Sequence, residues 1–119
     1  MKGNGKPHPI PQNRIAITAL GDKMPGVVVE CELLRGYTKV EFSIHALEQM
    51  KIRGLTRDEV LKTIREPQKT GLPTQPKRQR FRRYRRENRA TDVVFEEWDD
   101  RIIVVTAMIV SLRKKDRPS

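Results

Sequence analysis

Residues 77–89 read KRQRFRRYRRENR, with eight Lys or Arg against one Glu. That is +7 of a net charge of +10, so the remaining residues are close to balance at +3. Charge concentrated this way attracts polyanions and steers their approach. Two histidines are present, and His8 lies in a Pro- and Gly-rich leader, which leaves His45 as the imidazole of the patterned region. In the first turn of a helix the dipole disfavours imidazolium, and a neutral imidazole near pH 7 serves as a base. His45, Gln49 and Arg53 fall at i, i+4 and i+8, one polar stripe. A guanidinium on that stripe can orient a phosphate.

The elements that must position these groups follow from periodicity. Residues 1–13 read as an extended or flexible arm, and Arg14–Leu20 as a short strand before a turn-rich break, GDKMPG. In VVVECELL, Val27, Val29, Cys31 and Leu33 alternate with Glu30 and Glu32, the period of a half-buried strand. Arg35-Gly36 turns the chain into TKVEF, completing an N-terminal hairpin within 14–42. The period then becomes helical. Ser43 is an N-cap, Ile44, Ala46, Leu47 and Met50 form an apolar stripe, and Gly54 ends the helix. Thr56 caps a second helix with Glu59 as its capping-box partner, Val60, Leu61 and Ile64 as its apolar stripe and Pro67 as its stop.

Three strands follow a Pro/Gly loop: RQRFRRYRR, then Thr91–Trp98, then Arg101–Val110. The last is apolar on both faces and belongs in the centre of the sheet. SLRKKDRPS, residues 111–119, is read as frayed, with 113–119 as a basic tail. The expected fold is α+β, two short helices packed on a small, mostly antiparallel sheet.

Pairing the first two of these strands about Asn88-Arg89 sets Arg85 opposite Asp92, Arg80 opposite Glu97, Tyr84 opposite Val93 and Arg82 opposite Phe95. Cross-strand ion pairs, with Arg78 and Asp99 as a further one, then account for part of the basic run. Arg82, Arg83 and Arg86 are left without acids, as expected of a strand that meets an anionic visitor. Phe81 and Tyr84 lie on opposite faces, so one anchors in the core. Tyr84 is either a base-stacking platform or a second core aromatic.

Cys31 is the single cysteine, so no internal disulfide forms, and one Cys with two His assembles no metal site. The N-terminal residues lack an apolar signal region and the longest apolar run is too short to span a bilayer. These features fit a protein acting in a reducing, cytoplasmic compartment without membrane contact.

The pattern Ser43-x-His45-Ala46, Met50, Arg53-Gly54-Leu55-Thr56, Glu59-Val60 resembles the helical opening of small bacterial domains of unknown function. Those domains carry an S-x-H-A-x-x-R-M-x-x-R-G-I-S signature and resemble the RelE-like toxins of the barnase–EndoU–colicin–RelE ribonuclease fold. Gln49 stands where that family often has a basic residue. The resemblance covers Phe42 to Val110. It implies a metal- and cofactor-independent endoribonuclease toxin acting on mRNA or tRNA, held in check by an acidic antitoxin or immunity protein.

Such cleavage requires a base for the 2′-OH, a cationic cradle for the phosphorane and an acid for the leaving oxygen. Under that implication His45 is the base, Arg53 and Arg82 hold the phosphate, and Tyr84 or Thr106 serves the leaving oxygen. Arg78, Arg80, Arg83, Arg85 and Arg86 bind the RNA. Each has a plainer alternative: His45 as a helix-start residue, Arg53 as a partner for its own helix carbonyls, Thr106 as a β-branched core filler. The alternative reading of the whole chain is an RNA- or ribosome-binding module without chemistry.

Overall fold

The computed structural model describes residues 15–18 and 21–118. The Pro-rich arm at 1–13 lies outside them. The strands are β1 (Ile15–Thr18), β2 (Gly21–Leu34), β3 (Tyr37–Ser43), β4 (Gln79–Arg85), β5 (Arg89–Glu97) and β6 (Ile102–Ser111). Two helices, α1 (Ile44–Arg53) and α2 (Arg57–Arg65), separate β3 from β4. One six-stranded sheet runs in the order β1-β2-β3-β6-β5-β4, antiparallel except where β3 lies parallel to β6. This is the expected α+β architecture, with β1–β2 as its N-terminal hairpin and β2–β3 joined through the Arg35-Gly36 turn.

β6 is central because its residues are apolar on both faces: Ile102, Ile103, Val104 and Ala107 are fully buried. The helices cover one face. Phe42, Ala46, Met50, Val60 and Ile64 pack there against Phe81, Val93, Phe95, Val104 and Ala107. Phe81 and Phe95 meet edge to face, with centroids 4.8 Å apart.

Local chemistry fixes the helix ends. The Ala46 N–H donates to Ser43 Oγ at 3.0 Å, and the Ser43 hydroxyl donates to the Val105 carbonyl at 2.9 Å, tying the cap to β6. Gly54 ends α1 in the left-handed region at φ 71°. Thr56 Oγ1 accepts from the Glu59 N–H at 3.1 Å. The expected reciprocal half of that capping box is absent. The Glu59 carboxylate instead takes Arg85 and the Thr91 hydroxyl, because the sheet offers a charged donor that the cap backbone cannot match.

Three further expectations are corrected. GDKMPG does not break the chain; it forms the first part of β2, pairing with β1. The β4–β5 turn falls at 86–88, where Glu87 and Asn88 take φ 61° and 57°, and β5 therefore starts at Arg89. The basic C-terminal segment is not frayed in its described part: Leu112 is buried and Lys114–Asp116 forms a 3-10 turn. Among the described residues, no helix is long and apolar enough to cross a membrane.

Candidate nucleic-acid interface

The turn position sets the register of β4 on β5. Arg82 lies opposite Asp92, Arg80 opposite Val94 and Tyr84 opposite Ala90. The expected pairing of Arg85 with Asp92 and Arg80 with Glu97 is thus replaced by one shifted three residues. An odd shift changes which acids share a face with which arginines. Arg82 is not left unpaired: its Nε and Nη2 donate to Asp92 at 2.7 and 2.9 Å, and Arg80 Nε reaches the same carboxylate at 2.8 Å. Asp92 is fully buried and the Arg82 side chain is 8% exposed. The bond to Asp92 raises the Arg82 pKa against the opposing effect of burial, with Asp116 a smaller contributor.

The other strand arginines are also engaged. Arg78 pairs with Glu96, not Asp99, at 2.9 Å. Arg83 donates to the Glu66 carbonyl at the end of α2, and Arg85 pairs with Glu59 within α2. Arg86 is exposed in the β4–β5 turn. The outer edge of β4 is capped as well. Arg82 exchanges backbone hydrogen bonds with Lys69, and the Tyr84 N–H donates to Gln68 Oε1.

These pairings divide the expected catalytic set. Opposite residues of an antiparallel pair share a face. Arg82, Tyr84 and Asp92 therefore lie on the face away from the core cluster, as does Thr106, which sits opposite Val94. His45 and Arg53 belong to α1, on the helical face. His45 is exposed in the first turn, and Arg53 is eight residues further, about 12 Å along the axis. The structure does not bring His45 together with Arg82, Tyr84 and Thr106. Among the described residues, no group of three or more His, Cys, Asp or Glu is placed to hold a metal.

The residues that do converge are at the far end of the sheet. The Leu112 N–H donates to the Asn88 carbonyl at 2.8 Å, tying the C-terminal segment to the β4–β5 turn. Arg113 follows directly, and the 3-10 turn Lys114–Asp116 carries Asp116 near enough to Arg82 to act on its charge. The last turn of α1 reaches the same end, where Arg53, Arg89, Ile52, Ile109 and Ser111 line a groove of about 300 Å³. The end of α1, the β4–β5 turn with Arg89, and residues 113–117 together contribute +5, seven cations against Glu87 and Asp116, and Arg89 Nη2 donates to Glu87 Oε1 at 3.1 Å. Arg89 Nε is shielded from solvent and has no acceptor among the described residues.

Residues 42–109, more than half of the chain, match the model of a family described as a domain of unknown function, DUF4258. The chain belongs to the DUF4258 family. No curated protein and no solved structure matches it. The DUF4258 segment comprises the end of β3, both helices and β4 to β6, so it contains Arg53, Arg86 and Arg89 but not the cations at 113–117. Their charge was visible in SLRKKDRPS, but the fold-back onto Asn88 was not.

Proposed function

We propose that this protein binds RNA, and that the contact surface is the cationic end of the sheet rather than the arginine strand as a whole. The observation that carries this is the Leu112–Asn88 hydrogen bond, which starts the cationic C-terminal segment beside the turn that holds Arg86 and Arg89, with Arg53 and Arg89 lining one groove at the same end. The β4 arginines are weaker candidates, since Asp92, Glu96 and Glu59 already neutralise much of their charge. Phosphates bring charge to the pole and release counterions, so affinity for single-stranded RNA falls with salt at about 0.7 log units per phosphate neutralised. Fluorescence anisotropy with labelled single-stranded RNA at several salt concentrations tests this. A flat salt response overturns it.

Cleavage of the bound RNA is the second reading, that of a RelE-like endoribonuclease toxin of the cytoplasm. Its support is the resemblance around His45 together with the exposed position of that ring on the helix that leads to Arg53. In this reading the RNA lies along α1, His45 acts as the base and the pole holds a neighbouring phosphate. Arg82 has a structural role here, not a catalytic one. Purified protein incubated with total RNA should generate fragments, and His45→Ala should abolish them at nearly unchanged RNA affinity. Cleavage that survives the substitution removes His45 from the chemistry. An acidic antitoxin or immunity protein would occupy the same cationic surface.

A further inference from the structure

Trp98 is the only tryptophan of the chain, and it is 43% exposed. It sits one residue past β5, at the end of the sheet opposite the β4–β5 turn, nine residues or about 30 Å from Arg89. A cavity of about 580 Å³ opens beside it, lined by Lys77, Arg78, Gln79, Glu96, Glu97 and Asp99. This size is within the range of small-molecule sites.

An exposed indole is ordinarily free to swing. This one is held: Trp98 Nε1–H donates to Glu96 Oε1 at 2.9 Å, while Arg78 Nε donates to Glu96 Oε2, also at 2.9 Å. The Trp98 N–H bonds the Arg101 carbonyl at 2.9 Å, fixing the backbone below the ring. Glu97 is likewise occupied, by Gln79 at 3.2 Å and Arg35 at 2.7 Å. Asp99 differs. It is exposed and makes no hydrogen bond or ion pair among the described residues. The cavity thus presents a fixed aromatic face and one carboxylate with free acceptors.

We propose that this cavity binds a purine nucleobase with a donor edge, guanine, stacked on Trp98 with its N1–H and N2–H₂ groups donating to Asp99. A flat ring stacks on an immobilised indole at little further entropic cost. A carboxylate accepts from guanine's paired N–H groups, whereas adenine opposes it with a lone pair at N1. The site goes beyond the RNA-binding reading and rests on different residues, so either can fail alone.

The test uses the sole tryptophan as its own reporter. Guanosine, which carries no phosphate, is titrated into the full chain while Trp98 fluorescence is followed, with adenosine and an arginine-rich peptide in parallel. The expected result is saturable quenching by guanosine that is indifferent to salt, with adenosine at least about 10-fold weaker. Asp99→Asn, at an exposed position where folding is not at stake, should weaken guanosine about 10-fold and leave adenosine unchanged. Absence of saturable quenching by guanosine overturns the proposal. So does equal quenching by both nucleosides, or quenching by the peptide alone. Loss of RNA binding on neutralising the 113–117 cations, with guanosine quenching intact, separates this site from the pole.

Discussion

Arg82 and Asp92 face one another directly across β4 and β5 and share two hydrogen bonds, with the carboxylate fully buried. A residue in the middle of the basic run, to all appearance set out for a ligand, is thereby part of the sheet's own structure. Removing the carboxylate strands two guanidinium groups on a covered surface. Asp92→Asn should destabilise the fold by about 3–5 kcal/mol in urea unfolding. Arg80→Ala, with a side chain 26% exposed and Arg82 still in place, should cost about 1 kcal/mol or less.

The cationic pole and the strand arginines separate in a salt titration. Lys114→Ala combined with Lys115→Ala should lower affinity for single-stranded RNA and flatten the log K against log salt slope by about 1.4, two phosphates' worth. Arg80→Ala should leave that slope unchanged, because its guanidinium is held on Asp92 and lies away from the C-terminal cations. Anisotropy measured across salt concentrations reads both.

Ser43 serves two elements at once. Its hydroxyl oxygen caps α1 through the Ala46 N–H, and its proton goes to the Val105 carbonyl on β6. Ser43→Ala loses the cap, about 1 kcal/mol, and leaves a buried carbonyl without its partner, about 1–2 kcal/mol more. Thr56→Ala, at an exposed cap without a second bond, should cost about 1 kcal/mol. Thermal or urea denaturation of the two variants distinguishes them.

Glu41 is fully buried, bonded to Arg101 at 2.7 Å through Oε1, with Oε2 unpartnered among the described residues. Burial raises its pKa, partly offset by the Arg101 bond. A carboxyl whose folded pKa lies above its unfolded value binds its proton more tightly when folded. The ionised form therefore costs stability at neutral pH, and the cost is relieved as pH falls through the folded pKa. The stability of the native protein relative to Glu41→Gln should rise as pH falls from neutrality into the ordinary carboxylate range. Urea midpoints for both proteins at several pH values measure it.

Much of the fold was legible in the residues. Ser43, Gly54 and Thr56 marked helix ends because caps are satisfied within a few residues of chain. The largely apolar β6 marked its own central place because a strand covered on both faces carries apolar residues on both. The site was less legible. Assigning free charge to Arg82 depended on a register that the turn at 86–88 sets, and a shift of three residues reassigned every acid.

The sequence alone determined the fold class, the element order and the concentration of positive charge, since periodicity, capping and composition act over short spans of chain. The tertiary structure alone decided which arginines are spent on Asp92, Glu96 and Glu59, and that the cationic C-terminal segment starts beside the β4–β5 turn. Those outcomes depend on strand register and on the Leu112–Asn88 hydrogen bond. Both join residues that are distant in sequence, where no local pattern of side chains reaches.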